Sequence, residues 1–298
     1  SPLRACASDA CTTHCIMPVK SDYSDRLLGY VVVTCSRIDV ARRATLFEWV
    51  DGSAHYRGLP VEQHRIRIAD DTFEIAALKD AAALLDDAEF VRECEKTDRL
   101  PYGFELWPAA LMLAEHLYRG EPGRGRRAIE LGCGVGLVSI AAARRGWRVL
   151  TTDCDPVPLQ FAEFNAAANT VPSSPSRLRA RLRTRDVEAY QRLDWHNPPS
   201  GPRFARVLAA DVLYQRCDHT PILNCIDALL EQDGLAIIAD PNRGVADDFA
   251  SQAEASGFDA ESIHAAATLD HRKPVAGRLF LLRQRKTQKL RNAESRNG

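Results

Sequence analysis

Four acidic residues each close a short apolar run: Glu130 after RAI, Asp153 after RVLTT, Asp194 after Leu193, and Asp211 after RVLAA. Three glycines at alternate positions, Gly132, Gly134 and Gly136, follow the first of these acids. Glycines so spaced allow a tight turn and let a ligand approach bare backbone. If a helix follows, its first N–H groups are unpaired and face the turn. A dinucleotide fold would use this geometry for a pyrophosphate, but it needs G-x-G-x-x-G. Here the spacing is G-x-G-x-G, and bulky Leu137 stands where the third glycine would be required. Glu130, two residues ahead of Gly132, would also repel a pyrophosphate. An acid there suits a ligand with a cationic end, and Asp153 is placed to accept hydrogen bonds from ribose hydroxyls.

A nucleoside carrying an ammonium and a sulfonium, with no phosphate, meets both requirements; S-adenosyl-L-methionine is such a ligand. No metal is expected. The eight histidines show no metal or triad spacing, and Cys6, Cys11, His14 and Cys15 match no common zinc pattern.

Alternating elements must carry these acids. Strands are predicted at 127–131, 147–152, 187–193, 205–210 and 234–240. Helices fall between them at about 136–145, 157–169, 219–231 and 245–256. Such alternation implies a parallel sheet covered on both faces. Two closing strands, 262–269 and 278–284, have no helix between them and suggest an antiparallel edge. Upstream, EQHRIRI and TFEIAAL flank an Ala-Asp-Asp turn and read as a hairpin, followed by a helix over 80–94.

Residues 1–60 form a poorly defined N-terminal segment, in which LLGYVVVTC (27–35) has strand composition without an obvious partner. The main domain is expected over 61–284, with a polar tail at 285–298. Arg177 to Arg185 places five arginines at every second position of a Pro/Ser loop, read as a solvated insertion. The formal net charge of −1 points to neither nucleic acid nor membrane, and no apolar run approaches the roughly 20 residues of a membrane span. The N-terminus lacks the apolar core of a signal peptide. Nine scattered cysteines read as reduced, so a cytoplasmic location is expected.

Four motifs carry a resemblance: ELGCGVG (130–136), PYGFELWPAALMLAEHL (101–117), LDWHNPP (193–199) and ADVLY (210–214). With these the chain resembles the class I, seven-β-strand methyltransferases. Within them it is similar to the family sixteen group of lysine methyltransferases and nicotinamide-N-methyltransferase-like proteins. The resemblance implies a Rossmann-like, doubly wound α/β sheet of order 3-2-1-4-5-7-6, with strand 7 antiparallel and an N-terminal hairpin and helix. It implies that Trp107, Glu130, Gly132, Gly134, Gly136, Asp153, Asp194, Trp195 and Ala210 bind the cofactor. Asp211 and Tyr214 would line the mouth where the acceptor meets the methyl group. The acceptor would be a protein lysine or a small molecule; a non-catalytic cofactor-binding module is the alternative from another class. Asp240, after the fifth strand, either faces the cleft or only starts a turn.

Overall fold

The computed structural model describes residues 46–97, 102–169, 187–269 and 273–285. All lie within the compact unit Leu46–Gly298. Order begins earlier than expected. Two short strands, β1 (Glu48–Val50) and β2 (Ser53–Tyr56), precede the hairpin of β3 (Leu59–Ile68) and β4 (Asp71–Leu78). The four pair in sequence as an antiparallel meander rather than a lone hairpin. The hairpin turn is tight: Ile68 pairs with Asp71, and Ala69 takes a φ of 52°. A 3-10 turn (Ala81–Asp86) and helix α1 (Ala88–Thr97) replace the single expected helix.

The main sheet has seven strands: β5 (Arg127–Leu131), β6 (Arg148–Asp153), β7 (Val187–Arg192), β8 (Phe204–Ala210), β9 (Leu230–Asp240), β10 (Phe258–Ala267) and β11 (Val275–Gln284). Their order is β10-β11-β9-β8-β5-β6-β7, the 3-2-1-4-5-7-6 arrangement read from the far edge. β11 runs antiparallel to both β9 and β10, while β5, β6, β7, β8 and β9 pair in parallel. Ile129, Leu131, Val207 and Ile238 are all buried, as strands covered on both faces require. The helices are α2 (Pro108–Arg119), α3 (Leu137–Arg144), α4 (Pro156–Ala168), α5 (His219–Leu229) and α6 (Phe249–Ala255).

Local chemistry starts these helices where the site needs them. α2 has Pro108 in its first turn, after Trp107 in extended conformation. α4 begins at Pro156, with the Asp155 side chain accepting a hydrogen bond from Val157 N. α4 also holds the meander. Asn165 Oδ1 accepts from Ala76 N at 2.8 Å, and its Nδ2 donates to Ala76 O and Val135 O, both at 2.9 Å. Asn169 repeats the exchange with Glu74 N and O at 3.0 and 2.7 Å. Two side-chain amides thus bond the outer edge of β4, and Asn165 ties that edge to the glycine turn.

The segment 27–35, the Cys6–Cys15 cluster, the Arg177–Arg185 loop and most of the tail lie outside the described residues. No helix among the described residues is long and apolar enough to cross a membrane.

Candidate active site

The C-terminal ends of β5, β6 and β8, with the residues after β7, open onto one cleft of about 940 Å³. Trp107, Glu130, Gly132, Gly134, Asp153, Asp194, Trp195, Ala210, Asp211 and Tyr214 all line it. Ten of the eleven residues singled out from the sequence therefore meet in space. The exception is Gly136.

The three glycines do different work. Their φ values are 66°, 49° and 88° for Gly132, Gly134 and Gly136, all in the left-handed region that favours glycine. A Cβ on Gly136 would stand 2.7 Å from Ala162 Cβ and 2.9 Å from its Cα, on α4. Gly136 is therefore required by helix packing and is not on the cleft wall. Gly132 and Gly134 present bare backbone to the cleft.

Glu130 is only 1% exposed. Its Oε2 accepts a hydrogen bond from Ser139 Oγ, and Thr151 Oγ1 donates to that same Ser139 oxygen at 2.9 Å. Burial pushes the Glu130 carboxyl up to about 8; Ser139 opposes the shift and nearby Asp153 adds to it. A cation entering the cleft would return it toward the carboxylate.

Asp153 is raised by burial, against the lowering effect of two backbone donors. Its Oδ2 accepts from Gly134 N and its Oδ1 from Asp155 N, each at 3.0 Å. Each oxygen keeps a second lone pair for a hydroxyl. Trp195 is buried beside Gly132, its Cζ3 3.5 Å from where a Cβ there would lie. Asp194 Oδ1 accepts from His196 N at 3.0 Å. The His196 ring then spans two carboxylates, with Nδ1 3.1 Å from Asp194 and Nε2 3.2 Å from Asp218.

At the other wall, Asp211 has φ 59°, an uncommon value for a non-glycine residue. Its Oδ1 accepts from Arg243 Nε at 2.7 Å, while its Oδ2 is buried without a hydrogen-bond partner. Tyr102 contacts Tyr214 edge-to-face at 5.3 Å and Trp107 at 6.3 Å. Trp107 Nε1 donates to Tyr102 O at 2.7 Å, and the Arg243 guanidinium lies 5.8 Å from the Trp107 ring. Burial, then Asp218, hold the Tyr214 hydroxyl above the usual phenol range, so it stays neutral.

Tyr102, His196, Asp218 and Arg243 are cleft residues that motif spacing does not expose. Asp240 turns out to start a turn: its Oδ2 accepts from Arg243 N at 3.0 Å and Arg278 Nε at 3.1 Å, and it does not line the cleft. Among the described residues no cluster could hold a metal ion.

The glycine turn, the ribose-ready Asp153 and the buried acid Glu130 suit S-adenosylmethionine. The orphaned Asp211 oxygen suits a nitrogen donor beside it. Sheet order and site together define a class I methyltransferase fold. The profile of a family described as lysine methyltransferase matches residues 89–254, more than half of the chain, and the chain belongs to that family. It is 32% identical over 135 residues to mouse "Protein N-lysine methyltransferase METTL21A", covering 45% of this chain and 58% of the relative. It is 31% identical over 146 residues to mouse "EEF1A lysine methyltransferase 3", covering 49% and 58%. It is 30% identical over 151 residues to "Protein-lysine N-methyltransferase rrg1" of Schizosaccharomyces pombe, covering 47% of each. The matches thus span about half of the length of these relatives.

Proposed function

We propose that this chain transfers the methyl group of S-adenosylmethionine to a lysine side chain of a protein. The observation that carries this is the charge of the cleft. Glu105, Glu130, Asp153, Asp155, Asp194, Asp211 and Asp218 line it, against Arg243 alone among arginines and lysines of the described residues. An acidic mouth of this size attracts a flexible cationic side chain. Relatives whose names specify protein lysine as acceptor support the same choice.

The bound cofactor supplies a methyl group on a sulfonium, with a neutral thioether as leaving group. No covalent enzyme intermediate is needed. Asp153 and the backbone of Gly132 and Gly134 hold the nucleoside, and Trp195 and Asp194 border its base. Glu130 balances the cationic end. Asp211 orients the acceptor nitrogen, with Tyr102, Trp107 and Tyr214 shaping the channel. Alignment of nucleophile, carbon and sulfur can contribute several kcal/mol. We place the reaction in the cytoplasm, consistent with the free thiols of Cys133, Cys217 and Cys225.

The test is transfer of labelled methyl from S-adenosylmethionine into a cell lysate separated into protein and small-molecule fractions. Label on protein lysines is expected. Label confined to small molecules would make the chain a small-molecule N-methyltransferase, and label in neither fraction would leave a cofactor-binding module.

A further inference from the structure

We propose that Arg243 is a positioning residue for the acceptor, neutralising Asp211 so that the lysine side chain reacts as its neutral amine. The inference rests on the lysine methyl transfer proposed above and assigns that site a further component.

The chemical problem is protonation. Lysine has an ordinary pKa near 10.4 and arrives as an ammonium, which has no lone pair to attack a methyl group. A lone carboxylate beside it would worsen this, because an opposite charge favours the protonated form. The acidic mouth that attracts the side chain therefore works against the reaction unless the innermost acid is compensated. Arg243 Nε, 2.7 Å from Asp211 Oδ1, provides that compensation. The pair carries no net charge, yet Asp211 Oδ2 retains lone pairs for one N–H of the amine.

The surroundings hold Arg243 in this role. Its backbone N donates to Asp240 Oδ2 at 3.0 Å, and its carbonyl accepts from Arg278 NH2 at 2.9 Å. The guanidinium faces the Trp107 ring at 5.8 Å. The charged and titratable groups bearing on it are Asp211, Asp240 and Tyr102. Arg278 is bonded to Asp240 and Asp247. Across the cleft, His196 sits between Asp194 and Asp218. Asp153 is committed to the glycine turn, with Glu105 and Asp155 also on the cleft wall.

The step balances. The ammonium gives one proton to water as it passes the mouth. The nitrogen lone pair forms the new N–C bond while the C–S bond breaks, and its electron pair stays on sulfur. The methylated ammonium passes its proton to water.

The experiment uses the full chain, with the protein band that it labels in the lysate, once identified and purified, as acceptor. Rates are measured from about pH 6 to 10 for the native chain, Arg243→Gln and Arg243→Lys. In Arg243→Gln the rising limb of kcat should move up by about one pH unit, a tenfold loss near pH 7, while calorimetric cofactor affinity is unchanged. Arg243→Lys keeps the charge and should keep the native limb even if its maximal rate falls. A purely structural arginine would lower kcat at every pH without moving the limb, and that result would overturn the inference. Should Arg243→Gln not fold, a displaced limb in Arg243→Lys would overturn it as well. Absence of any labelled band with the native chain would overturn the methyltransferase assignment instead.

Discussion

The Ser139 hydroxyl, in the first turn of α3, donates its proton to the carboxyl of Glu130 at the C-terminal part of β5. This bond joins the strand to the helix beneath the glycine turn and still leaves the acid raised to about 8, because burial outweighs it. Folding therefore binds a proton at Glu130 that the unfolded chain, with an ordinary value near 4.5, would release. The stability contribution is full below about pH 4.5 and is lost as pH rises through about 8. Denaturant midpoints at pH 5, 6.5 and 8 should fall for the native chain and fall less for Glu130→Gln. Identical slopes would remove Glu130 as their source.

The same proton should leave when a cationic ligand binds. Calorimetry of S-adenosylmethionine binding near pH 7, in buffers of different ionisation enthalpy, should show proton release that Glu130→Gln abolishes. A binding enthalpy independent of buffer in the native chain contradicts the placement of the cationic end near Glu130.

Gly136→Ala should destabilise without touching the cleft wall. The new methyl meets Ala162 on α4, and the residue must keep a φ of 88°. A cost of about 1–3 kcal/mol is expected in chemical denaturation. Adding Ala162→Gly should recover the part due to the clash and leave the part due to backbone conformation. No recovery would show that conformation alone governs the position.

Asp153→Asn keeps the shape but removes the charge and one acceptor oxygen. Cofactor affinity should fall at least tenfold, about 1.4 kcal/mol, since hydrogen bonds to charged groups typically contribute more than neutral ones. Unchanged calorimetric affinity would sink the ribose assignment.

Asp211→Ala should reduce methyl transfer while largely sparing cofactor affinity, because Asp211 faces the acceptor side. Arg243 is then left without its partner in a half-buried position, so thermal unfolding should drop by a few degrees in the same variant. Parallel loss of cofactor affinity would move Asp211 into the cofactor's surroundings.

The sheet was legible because strands buried on both faces show as apolar runs. Each run ends in an acid where it meets the cleft, which is why Glu130, Asp153 and Asp211 could be placed in advance. β1 and β2 were not legible: three and four residues are too few for a period, and Trp49 in β1 is exposed. Gly136 was read with its neighbours because spacing cannot distinguish a glycine needed by a helix from one needed by a ligand. Arg243 lies in a turn after β9, and its meaning comes from Asp211, 32 residues earlier in the chain. His196 carries no signal either until Asp218 is brought against its far nitrogen.

Strands at the rim of a sheet offer unpaired backbone to any passing chain and so invite fibrous growth. On β4 the amides of Asn165 and Asn169 already bond Ala76 and Glu74, in the positions a neighbouring strand would use. The meander's outer border is therefore closed by its own molecule. Replacing either asparagine with leucine would uncover a template for edge-to-edge polymerisation.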